Sequence, residues 1–141
     1  MDLHKEIKLN IAVVDDSLDD HMFIVESLKD YKNIQITPFY GGDQFLKHLE
    51  EHIGGRDKSK IPEIVILDIN MPRLTGFEIY EEVLQKGFQK GITFFILSTN
   101  LTDKDLTMCR QLKLNCYKKP FSIDNFRILL QTIIEDVIAS K

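Results

Sequence analysis

Five polar residues stand directly behind short apolar runs of this 141-residue chain. Asp15 and Asp16 follow the run at 9–14, Asp68 the run at 64–67, Ser98 the run at 92–97, and Lys119 closes the segment after 114–117. If those runs are neighbouring strands, three carboxylates, a hydroxyl and an ammonium meet in one cleft. Carboxylates that close repel and raise one another's pKa values unless a cation binds among them. An all-oxygen site with room for water and phosphate suits Mg²⁺. Phosphoryl transfer needs a metal, a cation, a donor and an in-line nucleophile, and Asp68 is the candidate nucleophile because carboxylates form acyl phosphates. Each residue alone has a plainer reading. A strand-end aspartate is commonly a loop or cap residue, and Asp19 with Asp20 reads as acid stabilising the first turn of a helix. The joint occurrence at four run ends favours the shared cleft.

The elements that must position these groups alternate along the chain. The runs at 9–14, 34–38, 64–67, 92–97 and 114–117 are short and rich in apolar or β-branched residues, as in a parallel sheet covered on both faces. The second run ends at Pro38, which an edge strand tolerates. Between the runs lie helix starts: Ser17-x-x-Asp20, Thr75-x-x-Glu78 and Thr102-x-x-Asp105 have the form of capping boxes. Gly41-Gly42 leads into a helix that ends at Gly54-Gly55, and Ser122 opens the last helix, which runs to about 139. The pattern is (βα) five times, an α/β doubly wound parallel sheet with helices on both faces. Ligands of such sheets gather beyond the carboxyl ends of the strands. The expectation is one domain over 1–141, its core at about 8–139, with no appended output domain; 54–62 is a polar surface loop.

Composition excludes other classes. Apolar residues make up 43% and charged residues 28%, an ordinary globular balance. The net charge of −4 gives no support to direct DNA binding or to an anionic-membrane footprint. No apolar run approaches the roughly 18 residues of a membrane span, and MDLHKEIKLN lacks the apolar region of a signal peptide. Cys109 and Cys116 form no C-x-x-C pair and are expected to be ordinary thiols in a reducing compartment. The expected location is the cytoplasm.

The segments VVDDS at 13–17, ILDINMPRLTGFE at 66–78, ILSTN at 96–100 and KKPFS at 118–122 together resemble the receiver domain of two-component response regulators, of the single-domain, chemotaxis-regulator-like type. The resemblance implies the flavodoxin-like strand order 2-1-3-4-5. It implies that Asp68 is the phosphoacceptor and that Asp15, Asp16, Asp68 and the backbone carbonyl of Asn70 hold Mg²⁺, Asp15 through water. Ser98 would contact the phosphoryl group and Lys119 would pair with it. Met71-Pro72 and Gly76 match the family's turn into the third helix. The implied partners are a sensor histidine kinase or a histidine phosphotransfer domain, an unknown downstream protein, and a second copy through the fourth helix, fifth strand and fifth helix. The implied activity is confined to the chain's own phosphotransfer and autodephosphorylation. A phosphorelay intermediate has the same chemistry, and an interaction module that is never phosphorylated is the rival class. The loop at 54–62 is similar to that of regulators serving phytochrome-type sensor kinases. One position departs from the family: many members carry Tyr or Phe three residues before the site lysine, where this chain has Cys116, with Tyr117 one later. The signal is therefore expected to travel through Ser98, the loop at 99–102 and the fourth helix.

Other motifs weigh less. His48 and His52 fit the H-x-x-E-H pattern of a zinc protease, but a protease needs a third ligand on another helix, so they read as histidines of a surface helix. His4 and His21 show no partner at ligand spacing. No G-x-x-x-x-G-K-[ST] or G-x-G-x-x-G cradle is present.

Overall fold

Five strands, β1 (Leu9–Val14), β2 (Ile34–Phe39), β3 (Ile64–Leu67), β4 (Thr93–Ser98) and β5 (Asn115–Lys118), alternate with helices α1 (Leu18–Ser27), α2 (Gly42–His52), α3 (Gly76–Lys86), α4 (Asp103–Leu112) and α5 (Ile123–Ala139). This computed structural model describes residues 8–140. His4 lies outside the described residues. All strand pairs are parallel, in the order β2-β1-β3-β4-β5.

Strand side chains alternate between two apolar layers because the backbone period is two. Leu9, Ile11 and Val13 of β1 join α1 and α5 on one face, where Ile24, Leu28, Phe126, Leu130, Ile133 and Ile134 are buried. Ala12 and Val14 join α2, α3 and α4 on the other, with Phe45, Leu49, Ile79 and Val83. Every residue of β3 is buried, as a central strand between two helical layers requires. Each fully buried Leu, Ile or Phe contributes about 1.5–3 kcal/mol relative to an exposed position. The edges differ from the centre: β2 carries Pro38 opposite Val13, and β5 has four residues ending in Lys118.

Helix starts follow the sequence pattern. Thr75 with Glu78 and Thr102 with Asp105 form reciprocal capping boxes. At α1 only half of the box forms: the Ser17 hydroxyl accepts from the Asp20 backbone N–H, while the Asp20 carboxylate turns elsewhere. Among the described residues no helix is long and apolar enough to cross a membrane. The loop at 54–62 contains one turn of 3-10 helix, Lys58–Lys60.

The expectation of ordinary thiols is corrected. Cys109 of α4 and Cys116 of β5 are joined in a disulfide, their Cα atoms 6.5 Å apart. The cause is the turn between them. Lys113 ends α4 in the left-handed conformation, φ 57°, and the Leu114 N–H donates to the Cys109 carbonyl at 2.9 Å. This helix-ending motif folds β5 back beneath the last turn of α4. Because a lysine rather than a glycine holds the left-handed position, the sequence gives no sign of the reversal.

Candidate functional site

The carboxyl ends of β1, β3, β4 and β5 meet on one edge of the sheet. Asp15 N–H donates to the Phe39 carbonyl and Asp68 N–H to the Val14 carbonyl, so both aspartates continue the parallel ladder by one residue. Gly76 lets the start of α3 come close: its N–H donates to the Ile69 carbonyl at 3.1 Å, and a Cβ there would run into the Asp68 carbonyl. No other residue tolerates that approach. On the far side, the Lys119 N–H donates to the Ser98 carbonyl at 2.8 Å, which pins the lysine to the end of β4.

Carboxylate oxygens of Asp15, Asp16 and Asp68 lie within 4.8 Å of one another. Asp15 and Asp68 are buried and Asp16 is exposed, so the cluster opens to solvent on one side. Lys119 is buried too, and its Nζ donates to Asp15 and to Asp20, each at 2.7 Å, and lies 3.6 Å from Asp68. One ammonium thus faces three carboxylates, and Asp16 adds a fourth to the cluster. That imbalance in an all-oxygen donor set is what a small divalent cation neutralises, so the residues fit Mg²⁺. Ser98 adds a second indication: its hydroxyl is fully buried and has no hydrogen-bond partner among the described residues. A buried polar group without a partner is costly.

The electrostatics follow from this crowding. Burial pushes the Asp68 carboxyl up to about 6; the charges of Asp15 and Asp16 add to the rise and Lys119 opposes it. Asp15 is raised as well, chiefly by burial, against its hydrogen bond from Lys119. Burial works against the charge on Lys119, but its hydrogen bonds to Asp15 and Asp20 and the nearby carboxylate charges outweigh it, and its pKa is raised.

The structure brings together Asp15, Asp16, Asp68 and Lys119, with Ser98 at the end of the adjoining strand. Asn70 stands exposed two residues beyond Asp68 in the loop to α3. Sequence reasoning missed two participants. Asp20, read as a helix-start acid, reaches Lys119 instead of completing its capping box. His21, read as unpartnered, is buried and donates from Nε2 to the Asp15 carbonyl at 2.7 Å. Its place one turn into α1, directly above Asp15-Asp16, was the available signal. His48 donates from Nε2 to the Lys60 carbonyl and its ring meets Phe39 and His52. That is a structural role, and no third ligand stands near the pair among the described residues.

A strand order of 2-1-3-4-5 with an acid cluster and lysine at the carboxyl edge defines a receiver. The chain belongs to the response regulator receiver domain family, whose model matches residues 11–131. It is thus a module of two-component signalling, in which receivers take a phosphoryl group from a histidine kinase and bind Mg²⁺ or Mn²⁺ at an acidic pocket. Among particular proteins, it is similar to response regulator Rcp1 of Synechocystis sp., 29% identical over 111 residues that cover 76% of this chain and 73% of Rcp1. The solved Mn²⁺-bound form of Rcp1 superposes with a TM-score of 0.73 at 25% identity, covering 89% of this chain and 91% of that one. The fold is also that of the phosphorylated cyanobacterial phytochrome response regulator RcpA, with a TM-score of 0.81, 22% identity, and coverage of 96% and 97%.

Proposed function

We propose that Asp68 accepts a phosphoryl group from a phosphohistidine of a sensor kinase or phosphotransfer domain and later loses it to water. The observation that carries this reading is the placement of the Asp68 carboxylate, only 9% exposed, inside the acid cluster and 3.6 Å from Lys119 Nζ. With its pKa raised to about 6, Asp68 is mostly ionised at neutral pH and can attack phosphorus. Asp16, Asp68 and the Asn70 carbonyl would hold Mg²⁺, with Asp15 acting through water; when bound, the ion offsets the carboxylate charge and that of the incoming phosphoryl oxygens. Lys119 leaves Asp15 and Asp20 to pair with the phosphoryl group. The Ser98 hydroxyl gains in that group the partner it otherwise lacks.

Exposed apolar residues follow Asp16 and Lys119 closely in the chain. Leu18 and Met22 of α1 are 60% and 62% exposed, and Phe121, beyond Lys119-Pro120, is 89% exposed. A phosphodonor protein approaching Asp68 would meet them, and phytochrome-type sensor kinases are the first donors to test. The phosphorylated form then acts on a protein partner, or on a second copy through α4, β5 and α5, within the cytoplasm. The test is intact mass after incubation with acetyl phosphate and Mg²⁺. The expected result is one phosphate adduct that Asp68→Asn abolishes. An adduct that persists in Asp68→Asn, on another residue, refutes the assignment.

A further inference from the structure

The contact between α4 and β5 has no place in the phosphoryl chemistry, yet it joins the chain's two cysteines. Cys109 is 3% exposed, on the last turn of α4, and Cys116 is half-buried in β5. Their Cα separation of 6.5 Å lies within the range a disulfide spans. The Leu114–Cys109 backbone bond and the left-handed Lys113 hold the two elements in that register by contacts that do not involve the sulfurs. Cys116 pairs in register with Ile96, two residues before Ser98 on β4. Cys109 is the only residue of α4 that is buried. The bond therefore fastens α4 at its one deep point to the strand beside the hydroxyl that awaits the phosphoryl group.

We infer that Cys109 and Cys116 form a reversible thiol–disulfide exchange site for low-molecular-weight disulfides, and that its oxidised state restrains the response of α4 to phosphorylation. The second half of this inference rests on the function proposed above. The difference in exposure orders the steps. The Cys116 thiolate attacks one sulfur of a small disulfide such as oxidised glutathione, a sulfur–sulfur bond breaks, and the departing thiolate takes up the proton that Cys116 gave. The Cys109 thiolate then attacks the Cys116 sulfur of the mixed disulfide, and a second small thiol leaves with the Cys109 proton. The two cysteines lose two electrons in total and the small disulfide gains them. Two small thiols reverse the sequence, attacking first at Cys116 because Cys109 is shielded by α4.

The oxidised bond has a mechanical effect. Phosphoryl contact at Ser98 reaches α4 through the loop at 99–102, and α4 responds by moving against β5. A covalent tie at residues 109 and 116 removes that freedom, and the free thiols restore it.

The experiment titrates the full chain with mixtures of reduced and oxidised glutathione, follows thiol content by alkylation and mass, and records amide NMR shifts of residues 99–118 on adding beryllofluoride with Mg²⁺. The expected result is an intramolecular disulfide two hydrogens lighter than the dithiol, formed and reversed within the glutathione series. In the oxidised form the α4 shift changes fall to about half or less of those in the reduced form. Cys116→Ser, which keeps the buried Cys109, should respond like the reduced protein at every glutathione ratio. Formation of glutathione adducts alone, or equal shift changes in both redox forms, overturns the inference. Absence of any beryllofluoride response in the reduced protein overturns the proposed function instead, leaving the exchange chemistry to be judged by mass.

Discussion

Helices α4 and α5 flank the same strand and are held in opposite ways. From α5, Phe126, Leu130, Ile133, Ile134 and Val137 enter the core, and α1 packs along it. From α4, Cys109 enters alone, with Met108 and Leu112 resting at the margin. The ends differ too. Lys119, at the start of the loop into α5, is fixed to α1 through Asp20 and to β1 through Asp15, whereas α4 begins on an exposed capping box. A helix with five buried anchors belongs to the scaffold; a helix with one, once the disulfide at that anchor is reduced, can shift by small amounts at little cost. The receiver thus keeps its rigid and its adjustable helix side by side, with the site between their loops.

The contrast is broken most directly by mutation. Leu130→Ala in α5 should cost about 2–5 kcal/mol, the range for a buried leucine that leaves a cavity. Leu106→Ala in α4, where the side chain is 37% exposed, should cost under about 1 kcal/mol. Urea unfolding of both variants checks this, and comparable losses would show that α4 is as firmly held as α5.

The pH dependence of stability originates in the acid cluster, at Asp68 above all. Without metal, the folded chain keeps a proton on Asp68 up to about pH 6, whereas an ordinary carboxylate releases it near 3.8. Folding then takes up a proton between those values, so stability falls as pH rises from about 4 to about 6 and stays low above that. At about 1.36 kcal/mol per unit, discounted for the water that reaches this open cleft, the loss is on the order of 1–2 kcal/mol. Asp68→Asn should flatten most of that slope, leaving the smaller part in the same direction from Asp15. Unfolding in chelator at pH 4.5 and pH 7 measures it. A slope unchanged in Asp68→Asn would move the origin of the effect away from the acid cluster.

The smallest effect sharpens the account of α4. Lys113 holds a left-handed backbone that disfavours any Cβ, so Lys113→Gly should stabilise the protein by about 0.5–1 kcal/mol in thermal melts. A loss of stability there would mean that the lysine side chain, not the backbone, secures the turn.

These two helices also mark how far the sequence could be read. The apolar run at 9–14 coincides with β1, and α5 is plain from its i, i+3, i+4 spacing, because burial on a regular lattice leaves a periodic trace. The meeting of Asp15, Asp16 and Asp68 is legible for the same reason: each ends a strand, and the strand order sets which ends adjoin. What failed to show was contact made by irregular backbone or by side chains with two uses. The Cys109–Cys116 pairing depends on a left-handed residue that is not glycine. Asp20 suits a capping box equally well, and only the burial of Lys119 draws it away. His21 is signalled by nothing but its place one turn into α1, since its partner is a backbone carbonyl.

The edges of the sheet bear on how copies of this protein can meet. Edge strands offer unpaired amide and carbonyl groups to any passing chain, and long flat ones seed aggregation. Here one edge is interrupted by Pro38, which has no N–H to give, and the other is four residues long and ends in a lysine. Strand-to-strand addition is blunted on both sides, so self-association must use side-chain surfaces. Contacts of that kind can be reversible and graded with concentration, where an extended sheet would grow without limit.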